Sequence, residues 1–150
     1  MRRLLLAAAL VFAPLVAAAE PATMTAEEAH RAHKAGEVVL IDIRTPEEWA
    51  DGGMPEGAVP LTLQDPDINA KLNAILARAG DRPLALICRT GGRSGWLSAQ
   101  LESAGLTNVI DVTEGVYGSA AGPGWIRRGL PVERPGPGTF DARLDALGGG

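Results

Sequence analysis

Short apolar runs alternate with helix-forming segments along this chain, which predicts an α/β fold with a central, mostly parallel sheet and helices on both faces. Three observations carry that prediction. Val38-Val39-Leu40-Ile41-Asp42-Ile43 and Leu84-Ala85-Leu86-Ile87 are nearly continuous apolar runs of the kind that strands buried on both faces show. Segments with helical spacing, such as Ile68, Leu72, Ile75 and Leu76, separate the runs. The alternation implies βαβ units, whose right-handed crossovers gather the carboxyl ends of the strands on one side.

Each element has its own local reason. Thr25 caps a helix over 26–35, Glu28 completes the capping box and Gly36 ends it; the first buried strand, 38–43, follows. A second short helix starts from Thr45, with Pro46 at its first position and Glu48 three residues beyond the cap. Residues 51–57 form a loop by composition and lead to a short extended stretch over 58–63. A third helix ends near Gly80; then come the strand 84–87, a helix from Ser94 onward and the strand 108–112. Beyond Val132 the chain turns to proline and glycine, and residues 133–150 are expected to be a mobile tail. Asp141 to Leu147 could make a helical turn, but so short a segment is marginal without packing.

The first residues point to export. Met1-Arg2-Arg3 is a short positive region, residues 4–16 are apolar, and Ala17-Ala18-Ala19 offers small residues before Glu20. Residues 1–19 therefore read as a secretory signal cleaved near Ala19/Glu20, with a periplasmic destination, followed by an N-terminal segment over 20–33 and one domain over 34–132. No other stretch approaches the ~20 apolar residues of a membrane helix, so stable membrane insertion is not expected. The formal charge of −4 becomes two units more negative on cleavage, because Arg2 and Arg3 leave and every acidic residue stays. An acidic domain argues against nucleic acid as partner.

Cys88 is the only cysteine, so no intramolecular disulfide supports the fold. It opens the loop Cys88-Arg89-Thr90-Gly91-Gly92-Arg93-Ser94, between a strand and a helix, at the strand end where open α/β sheets bind ligands. Gly91 and Gly92 can both take the positive φ that a cradle of backbone N–H groups needs. The start of the following helix presents unpaired N–H groups and the positive end of its dipole to the sulfur. Arg89 and Arg93 flank the cradle, and no acidic residue lies between Asp81 and Glu102, so the site reads as electropositive and fit for an anion. A lone cysteine is more often an inert, buried hydrophobe. A structural cysteine, however, needs none of these neighbours.

The residues resemble the single-domain members of the rhodanese-like sulfurtransferase family over about residues 34–132. The early signature is Leu40-Ile41-Asp42-Ile43-Arg44-Thr45-Pro46-Glu47-Glu48-Trp49, the middle one is the Cys88 loop, and the late one runs from Val112 through Glu114-Gly115-Val116-Tyr117-Gly118 to Trp125 and Val132. In place of the family's usual Gly-His-hydrophobic-Pro-Gly-Ala stands Gly53-Met54-Pro55-Glu56-Gly57-Ala58. What the resemblance implies is that Cys88 is the nucleophile, takes a sulfane sulfur from a small anionic donor such as thiosulfate, and becomes a persulfide. The N–H groups from Arg89 to Arg93, in a binding loop that runs to Ser94, would hold that persulfide until cyanide or a thiol, protein thiols included, removes the sulfur. No metal or organic cofactor is required.

Other readings compete. A cysteine phosphatase or arsenate reductase places five residues between its cysteine and arginine, whereas Arg93 follows Cys88 after four and Ser94 holds the arginine's place. A persulfide carrier, a thiol sensor or a partner-binding module would need the same accessible cysteine. His30 and His33 are two potential metal ligands with no clustered third. Asp42 and Arg44 could pair at the strand end as structural support. Trp49, Trp96 and Trp125 are read as core or pocket-wall residues, Trp96 being near enough in sequence to line the site.

Overall fold

The structure, a computed structural model, describes residues 21–149; the expected signal segment lies outside them. The elements in chain order are β1 (Ala22–Met24), α1 (Ala26–Lys34), β2 (Val39–Asp42), α2 (Pro46–Gly52), β3 (Met54–Pro55), β4 (Val59–Pro60), α3 (Ile68–Ala79), β5 (Leu84–Ile87), α4 (Gly92–Ser103), β6 (Val109–Val112), α5 (Gly124–Arg127), β7 (Val132–Glu133) and α6 (Thr139–Leu147). Five of the strands form one sheet in the order β1-β6-β5-β2-β4, with every pairing parallel. β3 and β7 make a separate antiparallel ribbon.

Because side chains alternate across a strand, β2 and β5 feed two cores. Leu40, Ala85 and Ile87 join Trp49 of α2, Trp125 of α5 and the small residues Ala26, Ala29 and Ala32 of α1 on one face. Val39, Ile41, Leu84 and Leu86 join Ile75 of α3, Leu97 of α4 and Leu144 of α6 on the other. Cys88 continues the Leu84, Leu86 alternation and belongs to this second face. Both capping boxes form: Glu28 and Glu48 receive the cap N–H groups of Thr25 and Thr45 at 2.8 and 3.0 Å.

Two expectations about the ends are corrected. The domain does not begin at residue 34, since β1 is an edge strand paired to β6 and α1 buries three alanines in the core. Residues 133–148 are not a free tail. β7 pairs with β3, and α6 buries Leu144 beside α3; Arg82 Nη2 donates to the Leu147 carbonyl at 2.8 Å. Packing supplies what a nine-residue helix lacks in isolation.

Candidate active site

The hydrogen-bond ladder of the parallel sheet ends where β5 does, and the chain turns over the sheet edge through Cys88. Two bonds hold that turn: Val116 N–H donates to the Cys88 carbonyl at 2.9 Å, and Tyr117 N–H to the Arg89 carbonyl at 3.0 Å. The late signature thus fastens the loop from the side. Gly91 then takes φ +86° and leads straight into α4 without a side-chain cap. A Cβ at Gly91 would stand 2.3 Å from the Thr113 carbonyl oxygen, so both conformation and space require glycine there. Gly92, expected to share the positive φ, does not; it is the first residue of α4 and has open space around it.

The sulfur is enclosed, with Cys88 1% exposed. Ser94, wholly buried in the first turn of α4, places its hydroxyl 3.4 Å from Sγ and 3.2 Å from the Gly91 carbonyl. Among the described residues, the backbone N–H groups of 89–94 donate to no protein acceptor. Loop amides normally find partners, so six consecutive free donors that follow an enclosed cysteine in sequence make this loop a candidate anion site. Thr90 and Arg89 form its exposed rim.

Charge at the rim differs from the sequence expectation. Glu48, on α2, grips Arg93 with both carboxylate oxygens, at 2.8 and 2.7 Å, and stands 3.9 Å from Arg89. The Arg93 guanidinium holds the Glu48 carboxyl down to about 2 against the cost of its partial burial, with the Thr45 N–H adding to the effect. Sequence distance hid this partner, 45 residues away from Arg93; its capping role was readable, its second role was not. Arg89 also lies 4.9 Å over the Tyr117 ring.

Asp42 and Arg44 are a buried pair, as structural support requires. Arg44 Nη2 reaches Asp42 at 2.7 Å and the Gly53 carbonyl at 2.6 Å, which ties the strand end to the end of α2. Among the described residues, neither side chain hydrogen-bonds to the Cys88 loop. Trp96 is 59% exposed on α4. Trp49 and Trp125 are core residues, as expected. Asp111 of β6, which no sequence signal singled out, is buried against Ser94 and Gly95; burial pushes its carboxyl up, and the Ser94 hydroxyl partly offsets this. His33 is held below its usual range by burial, and His30 packs edge-on to Trp125 at 5.4 Å. Among the described residues no three histidine, cysteine or acidic side chains cluster as metal ligands, and no helix is long and apolar enough to cross a membrane.

Comparison with known proteins agrees with this geometry. A family model described as rhodanese-like domain matches residues 25–121. A sulfurtransferase of Allochromatium vinosum is 33% identical over 100 residues, which covers 66% of this chain and 81% of that protein. Among solved structures, Rv0390 from M. tuberculosis superposes with a TM-score of 0.60 at 24% identity, over 78% of this chain and all of that one. RPA3614 from Rhodopseudomonas palustris, a protein of unknown function described as a possible tyrosine phosphatase, gives a TM-score of 0.58 at 26% identity over 75% of this chain and 85% of that one.

Proposed function

The chain belongs to the rhodanese-like domain family, and from that premise we propose that it is a sulfurtransferase-type enzyme working through a persulfide on Cys88. The observation that carries this reading is the row of six uncommitted N–H groups, 89–94, next to an enclosed sulfur. In the first half-reaction the Cys88 thiolate attacks the outer sulfur of a sulfane donor. A new S–S bond forms at Cys88, the donor's own bond to that sulfur breaks, and the electron pair leaves with the remainder, sulfite in the case of thiosulfate. The terminal sulfur left on Cys88 is anionic, and fixed amide dipoles stabilise it without having to reorganise. In the second half-reaction a thiol or cyanide attacks that outer sulfur and carries it off, and the Cys88 thiolate returns.

Each partner leaves before the next arrives, so the kinetics should be ping-pong. The Ser94 hydroxyl, within reach of Sγ, can follow the charge from inner to outer sulfur. A phosphatase reading is disfavoured by Arg93 itself: its guanidinium fork is filled by Glu48 rather than turned toward an oxyanion. Initial rates with thiosulfate and cyanide, read as thiocyanate formed, test the proposal. Parallel double-reciprocal lines and complete loss in Cys88→Ala support it; intersecting lines, or activity retained without the sulfur, defeat it. A thiol sensor or inert module would turn over neither substrate.

A further inference from the structure

Glu48 changes what the Cys88 loop can accept. The loop carries two cationic side chains, Arg89 and Arg93, and both are engaged by protein groups. Arg93 donates from both terminal nitrogens to the two oxygens of Glu48, at 2.8 and 2.7 Å. Arg89 stands 3.9 Å from the same carboxylate and stacks on Tyr117. The carboxylate cannot swing aside freely, because its Oε2 also accepts the Thr45 N–H at 3.0 Å and so caps α2. An incoming donor meets open amides but no free guanidinium fork, and the fixed Glu48 carboxylate cancels part of the positive charge at the rim.

Donors differ in how much that matters. Thiosulfate brings two negative charges, and its departing sulfite keeps both at the mouth of the site, where a bidentate arginine would normally receive them. An organic persulfide with an uncharged R group brings at most one. Repulsion from a fixed carboxylate scales with the donor's charge, so the same side chain penalises the dianion about twice as strongly as a monoanion.

We infer that Glu48 is a specificity-determining residue that turns this site away from dianionic sulfane donors and toward singly charged ones, organic persulfides in particular; the inference rests on the sulfur-transfer reading of Cys88. The step balances without a co-reactant. The Cys88 thiolate bonds to the terminal sulfur of R–S–SH, the donor S–S bond breaks, and its electron pair goes to RS⁻, which takes a proton from water. Cys88 is oxidised to the persulfide as the donor is reduced to the thiol.

The test compares thiosulfate with 2-hydroxyethyl persulfide, using the same acceptor, in the full chain and in Glu48→Gln. Glutamine keeps the capping geometry at α2 and removes only the charge. The readout is the ratio of kcat/KM for thiosulfate to kcat/KM for the persulfide, measured on one preparation so that any unfolded fraction cancels. The expected result is a rise of more than fivefold in that ratio, mostly through a lower thiosulfate KM, with Glu48→Asp staying near the parent. A ratio within fivefold of the parent, while Cys88 still takes sulfur, overturns the charge filter and leaves sulfur transfer standing. If Cys88 takes no sulfur from either donor, sulfur transfer itself falls and the filter with it.

Discussion

α4 and α6 start in the same way and end up with different jobs. Each follows a glycine in the left-handed region, Gly91 at φ +86° and Gly138 at φ +81°, and neither first turn has a side-chain cap. At Gly138 nothing approaches within 4 Å of a would-be Cβ, whereas at Gly91 the Thr113 carbonyl is 2.3 Å away. One glycine only turns the chain; the other turns it and lets a neighbouring backbone press in. The open amides of α4 stand beside a buried sulfur. The start of α6 lies in exposed chain, and its worth is on its side, where Phe140, Leu144 and Leu147 pack on the core. An uncapped helix start is a candidate site only where a reactive group lies close by and the surroundings are closed.

The sharpest break of that comparison is Gly91→Ala. Strain at positive φ adds to a clash with backbone that cannot move aside, so a loss of about 3 kcal/mol or more is expected, with sulfur transfer lost as well. Chemical denaturation and donor loading of the same sample check both parts. Leu144→Ala comes next, at about 2 kcal/mol or somewhat above from the methylenes removed and the cavity left. If residues 133–148 were a free tail, that change would cost nothing.

Acid separates the two regions further. Glu48 titrates near 2 when folded and near 4.5 when free, so its contribution is present above 4.5 and disappears as pH falls from there toward 2. Glu114, held low by Arg128, acts in the same direction. Thermal melts of the parent and Glu48→Gln should therefore differ at pH 6, by on the order of 1 to 2 kcal/mol after solvent screening, and converge only as pH falls to about 2. A gap that stays constant across that range would mean that the Glu48 charge is not what the ion pair uses. The smallest effect belongs to Gly138→Ala, about 1 kcal/mol from backbone strain alone, with donor loading unaffected.

Much of this was legible in the sequence because local physics decided it. β2 and β5 are buried on both faces and read as continuous apolar runs, and the capping boxes at Thr25 and Thr45 announced their helices. The loop from Cys88 to Ser94 was legible because a sulfur, glycine and a helix start fall within seven residues. What stayed hidden depends on distant chain. β1 is three residues with no apolar pattern and exists because β6 offers it an edge. The proline and glycine of 133–138 suggested mobility, yet Glu133, with Val132 before it, pairs with β3 and the helix beyond them finds a prepared surface on α3. Glu48 meets Arg93 across the site, so the expectation of an electropositive cradle missed the carboxylate that neutralises part of it.

Intact-protein mass spectrometry of the full chain after exposure to a sulfane donor shows whether Cys88 carries sulfur. The expected result is a gain of one sulfur atom, mapped to Cys88, reversed by a thiol acceptor and absent in Cys88→Ser. A folded protein that gains no sulfur from thiosulfate or from an organic persulfide, or one that gains it equally without Cys88, would rule out a Cys88 persulfide.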